Sequence, residues 1–279
     1  MTAMTESETA TPQRTLLPTI ELLGTRIHAI TERTCVAHVM DELQNGRGGS
    51  IVTPNLDHLR RLRGDGAFRA ICESADLVVA DGMPLVWASR LQRTPLPERV
   101  AGSNLIHSLT AACAAAGRSV YFLGGDPGTA EATARILAAR HPGLRVAGTS
   151  CPAVGFDRDD ARFAALVADL RAAKPDVVYV ALGSPKQEQC IARWKALLPS
   201  AWWLGIGISF SFVCGDVQRA PRWMQKAGLE WVHRLAQEPG RLAKRYLVHG
   251  IPFAFRLLAT SAWRGLRSSA RVDDHHHNA

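Results

Sequence analysis

Residues 176–207 read DVVYVALGSPKQEQCIARWKALLPSAWWLGIG, and the order of textures in this stretch decides the fold. DVVYVALG (176–183) is a nearly unbroken apolar, β-branched run, the pattern of a strand covered on both faces. Gly183 and Pro185 then break the chain, a helical pattern follows over 185–197, and WWLGIG (202–207) is a second apolar run. Two strands joined through a helix are placed side by side and parallel.

The same alternation extends through most of the chain. SIVTPN (50–55), DLVVADG (76–82), SVYFLGG (119–125) and RVAGTS (145–150) read as further strands. Helical patterns fall near 33–45, 56–73, 84–92, 103–116, 127–140 and 157–173. This order predicts an α/β fold with a mostly parallel sheet flanked by helices. We find no internal repeat. Residues 1–18 are expected to be disordered, 19–218 to form the core, 219–271 a basic helical appendage, and 272–279 a disordered tail.

Charge marks the appendage. The 279-residue chain carries a formal charge of +8. Between Arg219 and Arg271 stand 11 basic and two acidic residues, leaving 22 and 23 for the rest. This segment also holds three of the seven tryptophans, and its helical patterning breaks at Pro239 and Pro252. Such an imbalance points to an anionic partner for this part of the molecule. The basic residues are interleaved with Leu, Trp and Val and run into IPFAFRLLATSAW (251–263), which favours an anionic membrane surface over nucleic acid. Packing on the protein's own core, or on another subunit of a homo-oligomer, is the alternative.

Other signals exclude classes. The six cysteines are scattered without a CxxC pair, so neither a disulfide framework nor a thiolate metal site is expected, and no cofactor is implied. The polar start MTAMTESETATPQRT gives no sign of a signal peptide, and no apolar run approaches the roughly 20 residues of a membrane span. A cytoplasmic protein is expected. A Rossmann oxidoreductase is disfavoured, because the first strand of the sheet is not followed by GxGxxG.

In open parallel sheets the site lies beyond the carboxyl ends of the strands. Those ends read Thr53-Pro54-Asn55, Asp81-Gly82, GGDPGT (124–129) and GSPKQE (183–188). The Gly124-Gly125-Asp126 turn offers backbone N–H groups at a helix start, a seat for phosphate or simply a tight connection. Lys186 and Gln187 lie in the first turn of a helix, where an anionic ligand would account for the lysine; a solvated surface lysine is the alternative. Asp81 is the sharpest residue. It is placed either to take a proton from an acceptor hydroxyl or to cap the helix that follows. His58, His107 and His233 are expected to be structural or exposed.

Taken together, TPNLDHL (53–59), ADLVVADGMPLVW (75–87), PERVAGSNL (97–105), FLGGDPG (122–128), ALGSPKQE (181–188) and RAPRWMQKAGLEWVHRLAQEPGRLAKRYL (219–247) resemble the WecG/TagA/CpsF glycosyltransferases, over roughly residues 20–250. The resemblance implies a Rossmann-like enzyme that moves a hexose or N-acetylhexosamine, of the UDP-ManNAc or UDP-glucose type, onto a polyprenyl-diphosphate-linked sugar. It further implies inversion at the anomeric carbon, no metal ion, and work at the inner face of the cell membrane. By the same resemblance Asp81 is the catalytic base, near Thr53 and Asn55. Gly82, Arg99 and Gln187 stand at the substrates, and Gly124, Gly125 and Asp126 face the nucleotide. Asn104 and Ser211 occupy positions where the family pattern leads us to expect Asp, which alters the contacts there. Arg234, Arg241 and Arg245, seven and four residues apart, fit one helix face that closes over a diphosphate. A non-catalytic nucleotide-sugar-binding module is the alternative reading.

Overall fold

The computed structural model of the protein describes residues 16–276; the first 15 residues of the expected disordered N-terminus and the last three of the tail lie outside the described part. The chain opens with an antiparallel hairpin, β1 (Thr19–Leu22) and β2 (Thr25–His28). Sequence patterning misses it because the strands are four residues each and partly polar. Its turn residues Leu23 and Gly24 both take positive φ, 50° and 80°, which matches the twist of a two-residue hairpin.

After α1 (Glu32–Gln44) comes the main sheet: β3 (Gly49–Val52), β4 (Leu77–Val78), β5 (Ser119–Gly124), β6 (Arg145–Ser150), β7 (Val177–Ala181) and β8 (Trp202–Gly205). All six expected strands are present, and every pairing is parallel, in the order β4-β3-β8-β7-β5-β6. The fold is a Rossmann-like α/β sheet. The intervening helices are α2 (Leu56–Leu62), α3 (Gly66–Glu73), α4 (Met83–Leu91), α5 (Gly102–Ala115), α6 (Thr129–Arg140), α7 (Asp160–Ala173), α8 (Lys186–Trp194) and α9 (Ser209–Cys214). The single helix expected over 56–73 is two, because Asp65 caps a new start by accepting from Phe68 N–H at 2.9 Å.

Successive strand residues alternate between the two sheet faces. Ile51, Phe122, Tyr179 and Leu204 pack with α1, α5, α6 and α9 on one face. Val52, Val78 and Ala80 pack with α2, α3 and α4 on the other, beside a cluster of Tyr121, Val178 and Trp203 with α7 and α8. The helices that follow the adjacent strands β3 and β8 therefore leave on opposite faces, which opens a crevice at the carboxyl ends of those two strands.

The rest of the chain is helical: α10 (Arg222–Lys226), α11 (Glu230–Gln237), α12 (Pro239–Ala243), a π-helical turn over Lys244–Gly250, and α13 (Ile251–His276). Pro239 begins α12, where its missing N–H costs nothing. Pro252 does not interrupt the chain. The wider π turn ahead of it absorbs the ring that a regular α-helix would force against the preceding turn. The inner face of α13 belongs to the core: Phe253 and Leu257 join the cluster of Leu22, Ile27, Phe68 and Leu85. Contact with α4 is close enough that a Cβ on Gly265 would sit 2.1 Å from the Leu91 carbonyl oxygen.

Two substitutions separate the faces of α13. Leu257→Ala should destabilise by about 2–5 kcal/mol in urea titrations, as truncation of a fully buried leucine does. Phe255→Ser, on the outward face where Phe255 is 70% exposed, should stay within about 0.5 kcal/mol of the parent.

Candidate active site

Two chambers meet over the crevice. The first, about 290 Å³, has mostly apolar walls, with Met83, Pro84 and Trp87 from α4 facing Ile251, Ala254 and Phe255 from α13. The second, about 350 Å³, has polar walls: Thr53 after β3, Gly102 and Ser103 at the start of α5, Ser184 and Gln187 before and in α8, and Gly205–Ser209 at the end of β8 and beyond it. Asn55, Asp81, Glu230, Trp231, Arg234, Arg245 and Tyr246 line both. The roof they share is the appendage, where Trp231 and Tyr246 meet edge to face at 6.1 Å.

Asp81 sits where the chambers join. Its N–H donates to the Pro54 carbonyl at 2.9 Å, which pins the end of one strand beside the end of its neighbour. The capping role left open by the sequence is not the one it plays: Gly82 caps α4, at φ 141°, and no side-chain capping bond is made there. The carboxylate is 28% exposed and lines both cavities. Burial raises its pKa above the ordinary aspartate value, against the opposing pull of Arg99, and the nearby Glu230 carboxylate adds to the rise.

Arg99 Nη1 lies 4.0 Å from Asp81 Oδ1 and 2.6 Å from Glu230 Oε2. Burial disfavours the charge on Arg99, but Asp81 and Glu230 outweigh it and hold the guanidinium charged. Glu230 also reaches Arg219 Nε at 3.7 Å. Arg219 is fixed by Asn104 Oδ1, which accepts from Nη2 at 2.6 Å, while Asn104 Nδ2 donates to Glu32 at 3.1 Å. Asn104 therefore orients an arginine rather than facing either chamber.

Beneath the polar chamber runs a buried chain of side chains. Asn55 Oδ1 caps α2 by accepting from the N–H groups of Asp57 and His58 at 3.0 and 3.2 Å, and His58 Nδ1 lies 2.8 Å from the same oxygen. His58 Nε2 is 3.5 Å from Glu188 Oε1, which also accepts from Gln187 Nε2 at 2.8 Å. Gln187 Oε1 in turn accepts from Gly207 N–H at 2.9 Å. Burial works against the Glu188 charge, but the bond to His58 prevails and its pKa is lowered. The walls after β3 and after β8 are thus tied through one carboxylate.

The three appendage arginines lie on separate elements rather than on one helix face, yet all reach the polar chamber. Arg241 pairs with Glu238 at 2.6 Å and Arg245 with Asp57 at 3.3 Å. Among the described residues Arg234 pairs with no carboxylate, and its Nε is buried without a hydrogen-bond partner.

Other sequence candidates stand apart from both chambers. Lys186 turns outward to Asp157 at 3.0 Å and lies over the Phe156 ring. Ser211 is buried in α9, its carbonyl accepting from Gly215 N–H, while its neighbours Ser209 and Phe212 face the chamber. The Gly124-Gly125-Asp126 turn is occupied locally: Gly125 N–H donates to Ala181 O, and Asp126 O accepts from Thr129 Oγ1 at 2.7 Å. Glu230, Trp231, Tyr246 and Glu188 went unrecognised in the sequence, and His58, expected to be structural or exposed, is buried and lines the polar chamber. One signal was available for Glu230, since it is one of only two acids among 11 basic residues.

A site of this form suits a group transfer, with one substrate in each chamber and the new bond made where they meet. The enzyme class is glycosyltransferase. The chain belongs to the glycosyl transferase WecG/TagA/CpsF family, whose model matches residues 20–267. It is 34% identical over 199 residues to an N-acetylglucosaminyldiphosphoundecaprenol N-acetyl-beta-D-mannosaminyltransferase of Bacillus spizizenii, covering 71% of this chain and 75% of that one. A protein of the same description from Bacillus subtilis strain 168 is 32% identical over 171 residues, 61% of this chain and 64% of its own.

If Asp81 is the base that the resemblance implies, Asp81→Asn should abolish transfer while leaving the fold intact. In the parent enzyme a raised carboxyl pKa requires the acid limb of kcat/KM to lie above the ordinary aspartate value of about 3.9, since activity is lost as the base takes up a proton. A limb at or below that value would remove Asp81 from the role.

Proposed function

We propose that the protein transfers N-acetylmannosamine from UDP to an N-acetylglucosamine carried on a polyprenyl diphosphate, with inversion and without a metal ion. The observation that carries this reading is the meeting of a polar and an apolar chamber at one carboxylate. The nucleotide sugar is assigned to the polar chamber and the lipid-linked acceptor to the apolar one, whose lining includes the exposed Phe255 of α13. The names of the two relatives support the choice of sugars.

In the proposed reaction Asp81 accepts the proton of the acceptor hydroxyl as its oxygen attacks the anomeric carbon. The bond from that carbon to UDP breaks on the opposite side, so one displacement inverts the centre. Charge accumulates on the leaving diphosphate, and a site without a metal must supply the compensation from side chains. Arg234, Arg241 and Arg245 are the groups available in the roof, and among the described residues Arg234 pairs with no carboxylate.

Outward-facing Val248, Ile251, Phe255, Trp263 and Leu266 recur at helical spacing along one stripe of the appendage, flanked by arginines. No helix among the described residues is long and apolar enough to cross a membrane. The stripe suits a helix lying in the interface of an anionic membrane, beside the mouth of the apolar chamber.

UDP release should appear with UDP-N-acetylmannosamine only when polyprenyl-diphosphate-N-acetylglucosamine is present, and should persist in EDTA. Release with UDP-glucose instead would reassign the donor, and no acceptor-dependent release from any UDP-sugar would overturn the reading. Arg234→Ala and Arg241→Ala should each lower kcat by about 10²–10³ if they hold the leaving diphosphate. Replacing Trp263 and Leu266 together by serine should abolish co-sedimentation with phosphatidylglycerol vesicles but spare transfer to a water-soluble short-chain acceptor.

A further inference from the structure

One nitrogen, Arg99 Nη1, stands between two carboxylates at unequal distances, 2.6 Å from Glu230 and 4.0 Å from Asp81. Asp81 follows β4 and Arg99 lies in the connection between α4 and α5, whereas Glu230 arrives on α11 of the appendage. We propose that Glu230 is a positioning residue: by taking the direct contact with Arg99 it holds the guanidinium off Asp81, so that Asp81 is an effective base only when the appendage is docked. The inference rests on the reading of Asp81 as the base.

The argument is electrostatic. A carboxylate in contact with a guanidinium is stabilised in its ionised form and loses proton affinity. Without α11, Asp81 is the nearest carboxylate left to Arg99, and close pairing makes it a weak base. With α11 docked, Glu230 takes the hydrogen bond and adds a negative charge beside Asp81. Glu230 also approaches Arg219, whose charge otherwise favours ionised Asp81, so a single carboxylate moderates two arginines.

The remaining groups around Asp81 do not take over this function. His58 on α2 favours the ionised form. Arg234 on α11 and Arg245 on the π turn line the same cavities, and both are cationic. Asp57 on α2 is already engaged by Arg245 and Arg60. Glu230 is therefore the group on the appendage whose charge raises the proton affinity of Asp81, and closure of the roof is coupled to base strength. An enzyme with its roof undocked holds a paired, weakly basic Asp81, which limits activation of water before the acceptor is seated.

The test uses the full chain labelled with 13C at the aspartate carboxyl, with the Asp81 resonance assigned by its loss in Asp81→Asn. Its titration midpoint is compared between the parent and Glu230→Gln, alongside the acid limb of kcat/KM. The proposal requires the midpoint to fall in Glu230→Gln by about one pH unit, a tenfold loss of proton affinity, and the acid limb to move down with it. Glu230→Asp should restore part of both. Undocking the roof would also hydrate Asp81 and lower its midpoint, so Glu230→Gln is repeated in an Arg99→Gln background: a fall that shrinks there supports the proposal, and one that persists undiminished is lost burial and overturns it. A midpoint that stays fixed while kcat or thermal stability falls would make Glu230 an anchor only and overturn the proposal. A midpoint that falls while the acid limb stays put would instead overturn the reading of Asp81 as the base, and with it the catalytic part of the inference.

Discussion

The contact between Glu230 and Arg99 joins two parts of the chain that the sheet alone would leave apart. At 2.6 Å, and shielded from solvent on most sides, it draws α11 down over the ends of β3 and β4. Breaking such a pair leaves an uncompensated charge in a half-buried place, which costs more than the pair itself contributes. The pair therefore fixes geometry more than it adds stability. Trp231 and Arg234 follow Glu230 on the same helix, so the position of the roof over both chambers depends on it.

The catalytic crevice is also stiffened from below. Glu188 receives His58 on one side and Gln187 on the other, and through them it holds Asn55 at one wall and Gly207 at the opposite wall. A buried carboxylate of this kind is tolerated because its partners satisfy it, although one of its oxygens has no partner among the described groups. The roof differs in kind. Two of its three arginines, Arg241 and Arg245, are engaged by Glu238 and Asp57 at 2.6 and 3.3 Å.

Membership of the glycosyltransferase family and the two-chamber geometry reinforce each other without being the same argument. The family match covers the appendage as well as the core, reaching residue 267. The geometry explains why: α13 supplies Phe253 and Leu257 to the core and Ile251, Ala254 and Phe255 to the apolar chamber. The appendage is thus both part of the folded core and half of the site.

The sequence by itself determined the parallel sheet, because strands buried on both faces are written as nearly continuous apolar runs, and most of the six are; the edge strand β6, exposed or half-buried along its length, is read from its place in the alternation. It also determined which strand ends carry polar chemistry, since Thr53, Asn55 and Asp81 stand immediately after such runs. It was silent on the first hairpin, whose short half-polar strands carry no such signature. Spacing suggested one helix face for Arg234, Arg241 and Arg245, whereas three elements bring them together. Only the tertiary structure decided that Lys186 turns away to Asp157 while Gln187, one residue on, faces the chamber. Only it paired Glu230 with Arg99, 131 residues apart in the chain. Periodicity records which side of an element is buried; the partner of a charged side chain depends on how distant elements pack, and no local pattern encodes that.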